Sequence, residues 1–203
     1  MPPRRAILIW SVLLLAICVP VVAALSSPLL AWRSPVYIAA GLAGVAGLAL
    51  ILLQPLLVGG HLPGVPVFRA RRLHRHVGLC LVLAVVVHVA GLWITSPPDV
   101  IDALLFASPT LFSAWGVIAM WALFLAALLG LLRRRWRWSL RSWRLAHSGA
   151  VGVVVAGTVV HAMLIEGTME PVSKTVLCLL AALALIRVLA GFRVWRAGAR
   201  PRG

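Results

Sequence analysis

Six long apolar runs divide the chain, and its polar positions gather in short clusters between them. The runs cover residues 6–25, 36–58, 74–95, 111–132, 145–165 and 172–192. Each is close to the roughly 20 residues that a helix needs to cross about 30 Å of hydrocarbon. None shows the short two-residue alternation of a membrane β-barrel strand. The pattern predicts an all-α bundle of six transmembrane helices as a single domain over residues 1–203, with a short basic tail after about residue 192. Residues 59–66 read as a Gly/Pro loop. The stretch between Thr95 and Leu111 contains Pro97, Pro98 and Pro109, so it is expected to be stiff, with one short helical turn around residues 100–106.

Composition agrees with lipid as the main solvent. Hydrophobic residues make up 63% of the chain and the mean hydropathy is +1.06, far from the roughly half-apolar balance of soluble domains. Arg4 and Arg5 before an apolar run are also marks of a signal peptide. The run exceeds a usual signal core, and Ala23-Ala24-Leu25 leads directly into more membrane-like sequence, so a first membrane helix is expected.

Charge adds an orientation. The net charge of +15 is spread unevenly. Arg69, Arg71, Arg72 and Arg75 fill the second connection, and Arg133, Arg134, Arg135, Arg137, Arg141 and Arg144 the fourth. Arg193, Arg196, Arg200 and Arg202 fill the tail. The intervening connections hold Arg33, Lys174 and all four acidic residues, Asp99, Asp102, Glu166 and Glu170. Cations on alternate loops place both termini in the cytoplasm by the positive-inside rule. The location read from this is a bacterial inner (plasma) membrane. A basic balance is also the footprint of nucleic-acid binding, but this distribution assigns the arginines to topology and to anionic membrane lipid, and no nucleic-acid partner is expected. Arg187, just inside the last run, can snorkel to the same surface. Trp10, Trp32, Trp93, Trp136, Trp138 and Trp143 fall near predicted interfaces and read as anchors. Cys18, Cys80 and Cys178 form no CxxC or CxxCH and read as small buried hydrophobes.

The candidate chemistry is in the histidines. His74 and His88 lie 14 residues apart on the third membrane helix, and His147 and His161 lie 14 apart on the fifth. Fourteen positions return a helix to within roughly 40° of one face and advance it by about 21 Å. Both helices run outward in the deduced topology, so His74 is matched in depth with His147, and His88 with His161. Two imidazoles across a bundle suit the axial positions of haem iron, and a bis-histidine site favours electron transfer. The expectation is two b-type haems, each held between the third and fifth helices. His76 is 12 residues from His88 and so turns about 120° from the shared face. It is assigned to the interface, near a haem propionate, with replacement of His74 as ligand the alternative; His61 reads as solvated. Proton relay is the main competing use of buried histidine, but no carboxylate lies inside these runs. Gly78, Ala84 and Gly157 lie four residues from a histidine, where small side chains could admit the macrocycle edge.

The segments RRLHRHVGL (71–79), VVVHVAGLW (85–93), WRLAH (143–147) and VH (160–161) resemble the ferric-reductase-like transmembrane domain. This is the haem core of ferric reductases, NADPH oxidases and the haem subunit of bacterial methionine-sulfoxide repair. The resemblance covers residues 74–161 and implies haem ligation by His74, His88, His147 and His161. It departs from the sulfoxide-repair subunits, which carry RRxLGL where this chain has His74-Arg75-His76. It also departs from the two-haem reductases, which usually continue into a flavin and nicotinamide domain, whereas about ten residues follow Phe192 here.

The leading expectation is therefore the haem membrane component of an oxidoreductase. It would carry electrons from a separate cytoplasmic flavin reductase, which supplies the flavin, to ferric chelates or another extracytoplasmic acceptor. A haem subunit feeding a periplasmic methionine-sulfoxide reductase is the nearest alternative. A non-redox six-helix transporter or assembly protein is the alternative from another class.

Overall fold

A computed structural model describes residues 3–136 and 138–191. Arg137 and the basic tail with Arg193, Arg196, Arg200 and Arg202 lie outside the described residues. Among the described residues the chain forms α1 (Pro3–Leu25), α2 (Pro35–Val58), α3 (Val67–Thr95), α4 (Pro97–Leu104), α5 (Leu111–Leu131), α6 (Leu140–Leu164) and α7 (Pro171–Gly191), with no strand. All but the short α4 are long and apolar enough to cross a membrane. The third and fifth membrane helices of the sequence pattern are thus α3 and α6. The proline-rich connection becomes α4, which starts at Pro97 and carries Asp99 in its first turn.

Local chemistry sets the helix ends. Ser34 caps α2 by accepting the Tyr37 N–H at 3.3 Å, with Pro35 filling the first helical position, where no N–H is needed. Ser139 caps α6 by accepting the Ser142 N–H at 3.1 Å. Glu170 accepts the N–H of Ser173 at 2.7 Å and of Val172 at 2.8 Å, and these bonds hold its carboxyl below the usual carboxylate range. Gly60 and Gly64 adopt φ of +67° and +76° and so turn the loop between α2 and α3.

Two helices begin earlier than hydropathy predicts: α3 at Val67 and α6 at Leu140. Their first turns are rich in arginine, which is a good helix former but lies outside any apolar run. Both His74 and His147 consequently sit two turns inside their helices, away from fraying ends.

Neighbouring helices pair into two hairpins, α2 along α3 and α5 along α6, and α7 packs against both α2 and α6. α1 lies on α2 and α7. Leu177, Cys178 and Ala181 of α7 are fully buried against Leu48, Ile51 and Leu52 of α2, within a core that also takes Leu81 and Val154. The outside is apolar too: Leu14, Val22, Leu79, Leu83, Leu125 and Leu183 are all exposed, the arrangement expected of a bundle solvated by lipid. Packing at its inner seams comes from small residues, as where an added Cβ on Gly91 would meet the Ala40 Cβ at 2.7 Å.

Several expectations change. Cys178 is buried, but Cys18 and Cys80 are exposed, because each falls on the outward stripe of its helix. His61 is half-buried rather than solvated, its ring lying where a Cβ on Gly59 would stand. Lys174 is buried within α7 and donates to the Ile165 carbonyl at 2.9 Å, tying the start of α7 to the end of α6. The arginine-bearing connections share one end of the bundle. There the Trp10 indole donates to the Pro63 carbonyl at 3.2 Å, which anchors α1 to the loop between α2 and α3.

Candidate functional site

Among the described residues α3 and α6 make little direct backbone contact, and their histidines reach across the space between them. The His74 and His147 rings have centroids 6.5 Å apart with planes at 74°. The His88 and His161 rings are likewise 6.5 Å apart, with planes at 80°. The first pair lies toward the arginine-bearing end of the bundle and the second toward the end with Asp99 and Asp102. All four rings are half-buried, whereas His76 is exposed, as its rotation of about 120° from the shared face requires.

Three of the four rings are held from behind. His88 Nδ1–H donates to the Ala40 carbonyl of α2 at 2.7 Å. His161 donates in the same way to the Phe112 carbonyl of α5 at 2.7 Å, and His147 to the Ala126 carbonyl of α5 at 3.1 Å. A carbonyl can only accept, so each bond requires the proton on Nδ1 and leaves Nε2 as the free donor nitrogen. A hydrogen bond of this kind fixes the tautomer and ring orientation of a metal-bound histidine.

Glycine makes room for two of these bonds. A Cβ on Gly44 would come within 3.0 Å of His88 Nδ1, and one on Gly116 within 2.8 Å of His161 Nδ1. Each of these glycines lies one helical turn beyond the accepting carbonyl, as does Gly130 relative to Ala126. The sequence reading missed them, although Gly116 and Gly130 repeat the 14-residue spacing of His147 and His161.

Gly78 and Gly157 do different work from that expected. An added Cβ on Gly157 would meet Ala119 Cβ and the Trp115 carbonyl at 3.1 Å, and one on Gly78 would meet Gln54 Nε2 at 3.2 Å. Both face the supporting helices α5 and α2, so they admit close helix packing rather than the edge of a macrocycle.

Trp143 also exceeds its expected anchoring role. Its ring stacks on His147 with centroids 5.1 Å apart and planes at 12°. Its indole donates to the Leu129 carbonyl at 2.7 Å, and the Arg133 guanidinium lies over the same ring, 4.5 Å from its centroid. Trp143 thus touches both an arginine of the basic end and an imidazole of the first pair. Near the acidic end, Lys174 and Glu170 have the local partners described, and Arg33 lies 4.9 Å from the Tyr37 ring centroid.

Metal–imidazole bonds are about 2.0–2.1 Å and a ring nitrogen lies roughly 1.1 Å from the ring centre, so two imidazoles opposed on one metal have centres roughly 6 Å apart. Both pairs fit that separation. Among the described residues no three His, Cys, Asp or Glu side chains converge, so each pair offers two protein donors. That donor set suits a metal whose remaining ligands come from its own macrocycle, as with haem.

Neither the curated proteins nor the solved structures compared with the chain match it. A family comparison does match, to the ferric reductase like transmembrane component, over residues 40–158. That span runs from the carbonyl that holds His88 to beyond His147, stopping three residues before His161. With six apolar helices of membrane-crossing length, the chain is an integral multi-pass membrane protein, and its matched span, more than half its length, makes it a member of the ferric reductase-like transmembrane component family.

Proposed function

We propose that the chain is a transmembrane electron conduit that holds two b-type haems, one between His74 and His147 and one between His88 and His161. Electrons would pass from a cytoplasmic flavin reductase to ferric chelates or another extracytoplasmic acceptor. The observation that carries this reading is the repeated geometry: two opposed histidine pairs with the same 6.5 Å separation, placed about 21 Å apart along parallel helices. A bis-imidazole haem supplies a reversible one-electron change with no open coordination position.

The remaining work belongs to the chain. The carbonyls of Ala40, Phe112 and Ala126 fix three imidazoles in the Nδ1-protonated form and raise their strength as donors. The apolar surroundings exclude water from the path, and the lack of carboxylates within the apolar spans leaves protons without a matching route. By the positive-inside rule the arginine-bearing end faces the cytoplasm. Its cations, with Arg133 leading through Trp143 to His147, form a surface suited to steering an acidic flavoprotein. The decisive test is the absorption spectrum of the purified protein. A Soret band that shifts on dithionite reduction is expected, and its absence from folded protein purified after expression with ample haem supply would remove the redox reading.

A further inference from the structure

Lys174 is the one buried charged side chain among the described residues, at 8% exposure. It lies in the first turn of α7, and its amine donates to the Ile165 carbonyl at 2.9 Å. Ile165 is the residue that closes α6, its own N–H bonded to the His161 carbonyl at 3.1 Å. The amine is therefore held at the end of the turn that carries His161. The last carbonyls of a helix lack partners within it and carry partial negative charge, so a cation is stabilised there. Packing keeps the side chain in place, because Leu177 and Cys178 in the next turn of α7 are fully buried in the core.

Other charges are placed differently. Asp99, Asp102, Glu166 and Glu170 are exposed, and the Glu170 carboxylate is turned onto the N–H groups of Val172 and Ser173. At the opposite end Arg69, Arg71, Arg72, Arg75 and Arg133 are exposed as well. Exposed charges are weakened by water and by counter-ions over a Debye length of about 8–10 Å, whereas a buried charge is screened much less. Among the described residues, only the pair His88–His161 thus has a buried charge about one helical turn from a ligand residue. We propose that Lys174 sets this pair at the higher reduction potential, so that electrons entering at the arginine-bearing end run downhill toward the acidic end.

This inference rests on the haem reading above. A fixed cation favours the state that holds one more electron, and burial strengthens its field at the metal. One turn of α6 plus the length of an imidazole puts the amine on the order of 10 Å from a metal at that pair. At an effective dielectric of about 20, a unit charge at that distance changes the redox equilibrium by on the order of tenfold. The ligands are histidines at both ends, so the ordering comes from a charge outside the ligand set and gives the conduit a direction.

The test is a redox titration of the full-length, haem-loaded protein, with the acidic-end haem identified as the one that His161→Ala removes. Lys174→Gln keeps a donor for the Ile165 carbonyl but removes the charge, whereas Lys174→Arg keeps both. Lys174→Gln is expected to shift the acidic-end haem toward the oxidised form by roughly tenfold, about 59 mV for a one-electron couple, with the other haem unmoved. Lys174→Arg is expected to move it by less than half as much. An unmoved acidic-end haem in Lys174→Gln, equal shifts of both haems, or an equal shift in Lys174→Arg would overturn the assignment, the last because it would trace the effect to packing. Should either variant fail to retain that haem, two one-haem variants decide. A haem left in His74→Ala that titrates above the one left in His161→Ala supports the role, and an equal or lower potential overturns it. Wild-type protein without a Soret band would instead defeat the haem reading itself, so the two failures are distinguishable.

Discussion

His88 and His161 face each other with ring centroids 6.5 Å apart, and each turns its Nδ1–H onto a backbone carbonyl 2.7 Å away on its own supporting helix. Their donor nitrogens are thereby freed at a separation that suits one metal, and the pair His74–His147 repeats the spacing nearer the other end. Alanine at His88 or His161 is expected to remove one haem, and alanine at His74 or His147 the other. Pyridine haemochrome analysis should count two haems per wild-type chain and one in each single variant. A single haem in the intact, loaded protein would contradict the two-site arrangement.

His76 supplies a control two residues from His74. Its exposed side chain points away from the pair, so His76→Ala should leave haem content near the wild-type value while His74→Ala halves it. The reverse result would assign the ligand to His76.

Gly116 and Gly130 separate a packing requirement from glycine content. A Cβ on Gly116 would stand 2.8 Å from His161 Nδ1, whereas one on Gly130 meets nothing within 4 Å. Gly116→Ala should displace the imidazole, at an overpacking cost of roughly 1–3 kcal/mol, or about 5- to 150-fold in affinity for the haem at the acidic end. Gly130→Ala should be near neutral. The measurement is haem retention during size-exclusion chromatography in detergent, and equal behaviour of the two variants would refute the argument.

Trp143 stacks on His147 and also carries the Arg133 guanidinium over its ring. Loss of the stack in Trp143→Ala forfeits about 0.5–1.5 kcal/mol of aromatic contact. It should alter the low-spin ferric resonance of the arginine-end haem alone. Trp143→Phe, which keeps a ring but no indole donor, should change it less. An unchanged resonance in Trp143→Ala would leave Trp143 with interfacial anchoring only.

Electron entry can be tested in liposomes. The sequence contains no GxGxxG to cradle a nicotinamide pyrophosphate, so NADPH alone should not reduce the haem, while NADPH with a soluble flavin reductase should. Steering by Arg69, Arg71, Arg133 and their neighbours should make that rate fall as salt rises. Rapid reduction by NADPH alone would refute the proposed division of labour.

Much of this arrangement is legible in the linear chain because it depends on local repetition. Six apolar runs specify six helices, since a lipid-solvated backbone must satisfy its own hydrogen bonds. A 14-residue interval places two histidines on one face of each helix whatever surrounds them. The starts of α3 and α6 were less legible, because arginine-rich turns are helical without being apolar. The stacking of Trp143 on His147 was hidden because an indole near an interface has the same linear context whether it meets lipid or a histidine.

What the sequence by itself determined was the number of membrane helices, their alternating direction and the depth matching of His74 with His147 and His88 with His161. Only the tertiary structure decided which carbonyls receive His88, His147 and His161, and why Gly44 and Gly116 must be small. Those facts depend on the lateral register of α2 against α3 and of α5 against α6. Hydrophobicity along one strand of sequence carries no register between helices, because lipid-facing and helix-facing positions are both apolar. Close backbone approach and hydrogen-bond geometry set it, and they exist only once the helices have packed.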